Sequence, residues 1–297
     1  MDKITIIKGS KVINFALGQI KYFLGDDFNV KNEIVKIIIK HFNKVDNSPY
    51  SIEEELTSSV LINDKKIDFK RIKLLEVNNH FNLNDDLKLR TKSLTLNLLE
   101  TVFYDIEYNE EVNTLNILNA SLAEYMTAEL KETTESFEYA VDFDDLTIKT
   151  IIKNLNLKII KNLNELNQYD LDYENNIGFQ IDIVNKIASL NKNIDFLVIV
   201  EIPKLTKAII SKLNDFKNDN LKVIVLCPEA KVDSNIAIKN ILSCNNQVID
   251  LSNEVDLYNN VLLNLDKRLS IDELNTYLLN YFTQKELKID LNLGEIL

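Results

Sequence analysis

Two short motifs carry residue types that could handle a nucleotide. In the first, an apolar run is followed by Gly-Asp-Asp-Phe-Asn-Val-Lys-Asn, which begins at Gly25 and ends with Lys31 and Asn32. A phosphate-binding loop needs a strand, then G-x-x-x-x-G-K-[ST], then a helix, because backbone amides cradle the phosphate and the lysine neutralises it. Gly25 and Lys31 are in register. Val30 replaces the second glycine, however, and Asn32 replaces the hydroxyl residue that would hold magnesium.

Two carboxylates also fall within this loop. Asp26 and Asp27 would lie a few ångströms from a bound triphosphate, and that repulsion is unfavourable unless a cation lies between the charges. The pair could bind a cation or could cap the helix that begins near Val30, and capping is the favoured interpretation. An ordinary strand, turn and helix that carries Lys31 by chance explains the motif equally well.

The second motif lies in the apolar run Phe196–Ile202. Glu201 occupies the position of the magnesium-coordinating Asp of an ATPase, and Ile202 replaces the residue that would orient the attacking water. The next apolar run leads into Cys227 and Pro228, where a switch histidine would be expected. The order of the two motifs is typical of ABC/SMC-type ATPases, while their substitutions predict that hydrolysis is lost. We therefore expect no bound ATP and no enzymatic activity.

Composition limits the class of protein. The chain has 297 residues, a net charge of −12, 45% hydrophobic residues, two Cys, five Gly and three Pro. It is long enough for one large or two modest domains, and it is too hydrophobic to be wholly disordered. Two cysteines exclude a disulfide scaffold and fit a reducing cytosol, so we expect a cytoplasmic protein. No apolar run approaches the length of a membrane span, and no signal peptide is evident at the start.

The periodicity of apolar residues predicts alternating strands and helices. Strands are expected over Ile4–Ile7, Val12–Phe15, Gln19–Leu24, Leu157–Ile160, Phe196–Ile202, Leu221–Cys227 and Gln247–Leu251, with a hairpin (Val60–Ile62 and Ile67–Phe69) around Asn63 and Asp64. Helices are expected over Val30–Lys44, Ile181–Leu190, Leu205–Phe216, Ile236–Leu242, Leu257–Leu265 and Ile271–Phe282. This alternation predicts an α/β fold with a mostly parallel sheet.

The middle of the chain has a different pattern. From about Ser93 to Lys131 it reads as two helices that break near Asn109–Asn113. Their apolar stripes are Leu99, Val102, Phe103 and Ile106 in the first helix and Leu115, Leu118, Leu122, Met126 and Leu130 in the second. Each stripe should pack against the other helix or against a partner subunit. We therefore predict a head domain from residues 1–74 and 146–297, with a helical leg domain from 75–145 inserted into it.

Charge is segregated along the sequence. Between Asp105 and Asp145 there are twelve acidic residues and one basic residue, whereas Lys149–Lys161 contains four lysines and no acid. The candidate contacts to nucleic-acid phosphates are Lys65, Lys66, Lys70, Arg71, Lys149, Lys153, Lys158 and Lys161. The alternative, that these residues are ordinary solvated surface, is the favoured interpretation from the sequence alone. With only three arginines in the chain, bidentate recognition of guanine is disfavoured, so any DNA binding should be independent of sequence.

Four segments resemble a known family, the ring-forming adaptation proteins encoded by the fourth gene of type II-A CRISPR loci. The segments are LGQIKYFLGDDFNVKNEIVKII (17–38), DDLTIKTIIKNLNLKI (144–159), and DFLVIVEIPKLTK with NLKVIVLCPE (195–207 and 220–229). The similarity lies in hydrophobic pattern and order, without catalytic signatures. Residues 253–297 match only the longer members of the family in length, and we assign them no role.

The resemblance implies a head with a degenerate ATPase fold and a helical leg, assembled as a homotetrameric ring. Such a ring encircles double-stranded DNA ends through a lysine-lined hole and cooperates with the CRISPR integrase complex and the effector nuclease during spacer acquisition. It also implies bound calcium, for which the sequence indicates no ligands beyond the general neighbourhood of Asp105–Asp145. Two alternatives stay open: an active ABC-type NTPase, and a protein–protein scaffold that does not contact DNA.

Overall fold

The computed structural model describes residues 2–43, 59–66, 71–103, 108–131, 139–232, 236–265 and 269–283. The chain divides into two compact units. Unit 1 comprises residues 1–81 and 171–297, and unit 2 comprises residues 82–170 and is inserted into the sequence of unit 1. The predicted boundaries after residues 74 and 145 are therefore displaced. The first falls inside the strand Ile72–Asn78, and the second omits residues 146–170 from the inserted unit.

Unit 1 contains a six-stranded, mostly parallel sheet, which confirms the predicted fold class. Its strands, in spatial order, are β12 (Val248–Asp250), β11 (Ile241–Cys244), β3 (Ile20–Leu24), β10 (Leu221–Leu226), β9 (Asp195–Glu201) and β6 (Ile72–Asn78). β12 is the antiparallel member, paired with β11, and the other pairings are parallel. The central strands β3, β9 and β10 are buried on both faces, which explains their continuous apolar sequences.

A second, four-stranded sheet packs on one face of the first. Its order is β2 (Lys11–Leu17), β1 (Asp2–Lys8), β4 (Ser59–Ile62) and β5 (Lys65–Lys66). Asn63 and Asp64 both have positive φ, as the tight turn between β4 and β5 requires. The turn is where the sequence predicts it, and Ile67–Phe69 of the expected second strand lie outside the described residues. The core between the sheets includes Ile4, Phe15 and Phe23, together with the apolar face of the first helix.

The helices of unit 1 include three that lie within two residues of their predicted bounds and one that begins eight residues earlier than predicted, at Tyr173 instead of Ile181. They are α1 (Phe28–Asn43), α6 (Tyr173–Leu190), α7 (Lys207–Asn214) and α8 (Ile271–Phe282). Between β12 and α8 the described residues form short helical turns, over Glu254–Asp256, Leu257–Val261 and Leu262–Asn264, where a single helix over Leu257–Leu265 was expected. Ser270 begins α8 with a capping box that also involves Glu273, which fixes the start of that helix.

One predicted helix is wrong. Residues Ile236–Leu242 form no α-helix: a 3₁₀ turn over Ile238–Asn240 leads into the strand β11. Ile241 and Leu242 are fully buried beside β3, in parallel pairing with it. A short apolar run of this kind fits a helix or a buried strand equally well, so the partner strand decides the outcome.

Unit 2 is built mainly from helices. These are α2 (Leu83–Asp86), α3 (Leu94–Val102), α4 (Asn109–Lys131) and α5 (Ile148–Lys153), followed by a two-stranded hairpin of β7 (Ile160–Lys161) and β8 (Asn164–Glu165). α5 was not predicted, and the strand expected over Leu157–Ile160 begins only at its last residue. Leu89, Leu96 and Ile152 form a small buried core, against which Leu99 and Phe103 pack.

The second predicted apolar stripe does not enter this core. Leu115, Leu118, Leu122 and Met126 of α4 are each 40–60% exposed. The buried side of the helix instead carries Val112 and Ala123. On that side Asn116 exchanges hydrogen bonds with the backbone of Leu146, and Thr127 does the same with Val141. α4 thus packs Asn116, Ala123 and Thr127 against the rest of unit 2 and exposes its larger apolar residues, such as Leu118, to solvent.

Candidate functional site

The lysine of the first nucleotide-like motif is buried within the protein. Lys31 lies in the first turn of α1 and has no exposed surface. Its Nζ donates hydrogen bonds to the carbonyl oxygens of Gly25 at 2.8 Å and Cys227 at 2.9 Å. The carbonyls of Pro228 and Glu229 lie 3.4 Å away. Because the ammonium donates into a shell of backbone oxygens, it clamps β3 to the end of β10 and does not point to a ligand.

The backbone amides of the same loop also have protein partners. Gly25 N–H donates to the carbonyl of Ala230 at 3.2 Å, Asp26 N–H to the side chain of Asn245 at 2.7 Å, and Asp27 N–H to the carbonyl of Cys244 at 3.0 Å. A phosphate cradle needs such amides free to donate to the phosphate oxygens. Here the loop has become a structural turn that joins three parallel strands at their carboxyl ends.

The two aspartates of the loop lie at its surface. The Asp27 carboxylate accepts a hydrogen bond from the N–H of Val30 at 3.0 Å, which is the capping role favoured by the sequence. Asp26 is exposed. Gly25 has a φ of +121°, and a Cβ there would lie 2.3 Å from the carbonyl oxygen of Cys244. That position therefore requires glycine for packing as well as for conformation.

Burial sets the protonation behaviour around Lys31. Desolvation lowers the pKa of Lys31, although the nearby Cys227, Cys244, Asp26 and Asp27 act in the opposite direction. Burial raises the pKa of Cys227 to about 11 and that of Cys244 to about 12. Both thiols are therefore neutral at physiological pH and behave as small apolar residues.

The second nucleotide-like motif places its acid at the end of β9. Glu201 is the exposed last residue of that strand and is paired in register with Leu226 of β10. Ile202, where a water-orienting residue would be needed, is 2% exposed and belongs to the core. Asn32 lies in the first turns of α1, where its amide replaces a magnesium-binding hydroxyl. The motif positions are thus in the predicted order, but the groups needed for phosphoryl transfer are replaced or occupied.

One set of predicted lysines lies wholly in unit 2. Lys149 and Lys153 are on α5, and Lys158 and Lys161 follow it, all with exposed side chains. Lys158 forms an exposed ion pair with Glu165 at 2.7 Å. Thr147 caps α5 by accepting from Thr150 N–H, which fixes the start of the helix that carries Lys149 and Lys153.

The other predicted set lies in unit 1 and is only partly described. Lys65 is exposed in β5, and Arg71 is exposed immediately before β6. For Lys66 only the backbone is described, and Lys70 lies outside the described residues. The structure therefore places the two predicted basic tracts on different units.

A further basic cluster on unit 1 was missed by the sequence analysis. Lys8, Lys36 and Lys40 line a groove of about 260 Å³, and the rest of its lining is Glu33, Asn29, Asn32 and Ile37. Glu33 pairs with Lys8 at 2.5 Å. Spacing along α1 could have shown that Lys36 and Lys40 share a face. The addition of Lys8 depends on the packing of the β1–β2 hairpin, because Lys8 lies 28 residues before Lys36 in the chain.

The described ranges contain no cluster of three acidic, histidine or cysteine side chains that could hold a metal ion. We therefore assign calcium to no residues. His41 and His80 also join no such group in the described part of the chain. In the described residues, no helix is both long enough and apolar enough to cross a membrane.

The fold is similar to that of a solved protein. The crystal structure of Stu0660 of Streptococcus thermophilus matches with a TM-score of 0.70 and 12% sequence identity, over 99% of this chain and 93% of that chain. At this level of identity the similarity shows a shared fold, and it extends over both units. No protein-family model and no curated protein matches the sequence.

Proposed function

We propose that this protein is a ring-forming adaptation protein of the type II-A CRISPR kind, which binds double-stranded DNA ends without reading their sequence. The observation that carries the proposal is the acid-free run Lys149–Lys161, whose four lysines are all exposed. This run lies on a unit with eight basic and seventeen acidic residues, hence a net charge of −9. Basic side chains concentrated on an otherwise acidic surface favour one path for a polyanion.

Lysine chemistry supports contact with the DNA backbone. An ammonium is a point charge that binds phosphate oxygens and releases counterions, but it does not match the edge of a guanine as an arginine does. None of the described clusters is built from arginine, since Arg71 and Arg90 are the two described arginines of this chain. A protein that moves along duplex DNA needs contacts of this sequence-independent kind.

The proposal includes the loss of nucleotide hydrolysis. Support comes from Lys31, whose Nζ donates to the carbonyls of Gly25 and Cys227 while three loop amides donate to other protein groups. An active NTPase would need Lys31 to leave a fully buried site and the loop to give up these bonds. ATP hydrolysis by the purified protein would overturn this part of the proposal.

A homotetrameric ring, bound calcium and association with the CRISPR integrase complex and effector nuclease complete the proposed role. These features rest on the sequence resemblance. The assembly is tested by measuring the mass of the full chain in solution, with and without calcium. A tetramer is expected, and calcium is expected to increase its share; a monomer under both conditions would contradict the ring.

The experiment that tests end binding compares two forms of one duplex. The full-length protein is mixed, without nucleotide, with a linear duplex or with the same duplex as a covalently closed circle, at two salt concentrations. A closed ring that threads onto ends should bind the linear form in a salt-dependent way and should not bind the circle. Equal binding of both forms would mean that the DNA lies along an open surface, and would contradict threading.

A charge-reversal variant tests the residues. Lys149→Glu/Lys153→Glu/Lys161→Glu should weaken binding of the linear duplex by at least about tenfold. The slope of log K against log salt concentration should also fall by about 2 to 3, because each lost phosphate contact contributes roughly 0.9. The matched control is Lys186→Glu/Lys192→Glu/Lys217→Glu, which changes the net charge equally at exposed positions outside the predicted tracts. Equal losses in both variants would show that net charge alone matters and would remove this run from the interface.

One observation favours a second function, that of a protein–protein scaffold. The apolar residues Leu115, Leu118, Leu122 and Met126 lie along one exposed side of α4. Exposed apolar residues in a row are typical of a contact surface. A scaffold without DNA contact predicts that charge reversal at Lys149, Lys153 and Lys161 leaves function unchanged, whereas polar substitution of the α4 residues abolishes it.

A further inference from the structure

Unit 1 contains an apolar cavity on the edge of the sheet opposite the nucleotide-like loop. The cavity has a volume of about 380 Å³ and lies at the amino-terminal ends of β6, β9 and β10, next to β1, β4 and the end of α1. The nucleotide-like loop follows the carboxyl end of β3. The cavity is therefore lined by none of Gly25–Asn32 and by neither Glu201 nor Ile202, although Phe196 and Leu197, at the start of β9, contribute to its wall.

The walls of the cavity are core side chains. Ile4, Leu17, Ile38, Val60, Phe196 and Ile224 are each at most 4% exposed. The rest of the apolar lining consists of Phe42, Ile62, Ile72 and Leu197. Protein interiors rarely leave voids much larger than a water molecule. A cavity of this size falls within the range that small-molecule sites occupy, roughly 300–1,000 Å³.

The polar lining of the cavity has an excess of negative charge. Asp2, Asp195 and Asp219 contribute three carboxylates, and Lys222 is the basic residue among the lining residues. Lys222 is already paired with Asp2 at 3.2 Å, and Asn63 donates a further hydrogen bond to the same carboxylate. The hydrogen bond from Asn63, with the neighbouring Lys222, holds the pKa of Asp2 below its usual value, so it is ionised at neutral pH.

The other two carboxylates are exposed and carry no ion pair with any described residue. Asp195 begins β9, and Asp219 lies in the turn before β10. Within the described chain neither takes part in a salt bridge, since the nearest lining lysine, Lys222, is bound to Asp2. Two negative charges are thus left at the polar end of an apolar cavity.

We infer that this cavity binds a small molecule with an apolar body and a single cationic amine head. The apolar body would replace contact with water by contact with Ile4, Val60 and Phe196, which is favourable in proportion to the area buried. The ammonium head would lie near Asp195 and Asp219. A ligand with a carboxylate head would meet those same charges and be repelled.

The test compares three probes that share one alkyl chain: octylammonium, octanol and octanoate. The full chain, labelled with ¹³C at isoleucine methyl groups, reports binding through Ile4, Ile38, Ile62, Ile72 and Ile224, which line the cavity. Octylammonium should shift these resonances and bind at least about tenfold more tightly than octanoate, because both rim carboxylates favour one head and oppose the other. Octanol should fall between them.

Two variants separate the head from the body. Asp195→Asn/Asp219→Asn should remove most of the preference for octylammonium over octanoate while leaving octanol binding unchanged. Ile62→Phe should weaken all three probes by occupying the cavity, and Val12→Phe, at an exposed position of β2 outside the lining, is its matched control. Thermal melts of each variant establish that it folds.

Three results would overturn the inference. The absence of any shift in the isoleucine methyl resonances at millimolar octylammonium would show that the cavity does not bind it. Equal affinity for octylammonium and octanoate would show that the rim does not select charge. Shifts that are the same in Ile62→Phe as in Val12→Phe would place binding elsewhere on the protein.

Discussion

The two units place lysine–carboxylate pairs in opposite environments. In unit 1, Lys21 and Asp250 form an ion pair whose side chains are 0% and 3% exposed. In unit 2, Lys158 and Glu165 form a pair whose side chains are 58% and 54% exposed. The residue types are nearly the same, and the energetic roles differ because water screens the second pair and is excluded from the first.

Both members of the buried pair make further hydrogen bonds with the protein. Lys21 also donates to the carbonyl of Lys239 at 3.0 Å. Asp250 accepts from the backbone of Ala16 and from both the N–H and the hydroxyl of Ser252. Burial lowers the pKa of Lys21, and the charge of Asp250 acts against that shift. The comparison shows that a lysine in unit 1 can be part of the architecture, while the lysines of the run Lys149–Lys161 in unit 2 have exposed side chains.

The largest expected effect comes from breaking the buried pair. Asp250→Ala leaves the Lys21 ammonium in the sheet without a counter-charge and should lower the free energy of unfolding by about 4 kcal/mol. Glu165→Ala, which breaks the exposed pair, should cost less than about 1 kcal/mol. Urea denaturation of the two variants measures both values. Similar losses would mean that burial does not separate the two pairs.

The double variant Lys21→Met/Asp250→Ala sharpens this result. Because the uncompensated ammonium is removed as well, part of the stability lost in Asp250→Ala should return. A double variant that is less stable than Asp250→Ala would show that Lys21 contributes mainly through Lys239, independently of the carboxylate.

A smaller effect is expected at the nucleotide-like loop. Lys31→Met keeps the aliphatic length but removes the donor to the carbonyls of Gly25 and Cys227, and should lower the free energy of unfolding by about 3 kcal/mol. Lys149→Met, at an exposed position, should change it by less than about 0.5 kcal/mol. Urea denaturation again provides the measurement. If Lys31→Met were as harmless as Lys149→Met, Lys31 would not be a structural clamp.

The smallest effect concerns the thiols beside Lys31. An ordinary thiol has a pKa near 9.0, and burial raises that of Cys244 to about 12 in the folded protein. Between these values the unfolded chain loses the proton first, so stability falls as pH rises above 9. This thiol alone should cost about 1.4 kcal/mol by pH 10.

Denaturation of wild type and Cys244→Ala at pH 8 and pH 10 measures this contribution. The variant is less stable at pH 8 because it loses buried contacts, but its further decline to pH 10 should be smaller by about 1.4 kcal/mol. Because Lys31 is present in both proteins, its contribution to the pH dependence of the unfolding free energy largely cancels in the difference. Equal declines in the two proteins would show that the thiol is not protected from ionisation.

Much of the fold follows from the sequence because its strands are strongly apolar. Phe196–Ile202 and Leu221–Cys227 are each within one residue of their strands in the structure, since a run buried on both faces has no competing pattern. The helix over Ile236–Leu242 was wrong because its short apolar run carries no periodicity that excludes a strand. β6 was missed for a related reason: its sequence, IKLLEVN, mixes charges with apolar residues beside a strand that supplies its pairing.

Some features of the candidate site could also be predicted from the sequence, and others could not. Asp27 as a helix cap could be predicted, since a carboxylate just before a helix has an adjacent N–H to accept from. The fate of Lys31 could not, because its acceptors include carbonyls almost two hundred residues later in the chain. Lys8 joins Lys36 through a hairpin that meets α1 only in the folded protein.

The sequence by itself determined which segments are buried strands, where the substitutions fall in the two nucleotide-like motifs, and that acidic and basic residues are segregated. These properties depend on neighbouring residues in the chain. Only the tertiary structure decided that Lys21 and Lys31 are internal, that the apolar stripe of α4 is exposed, and that a cavity lies beneath Asp195 and Asp219. Burial is a property of segments brought together by folding, and burial determines whether a charge binds the protein itself or a partner.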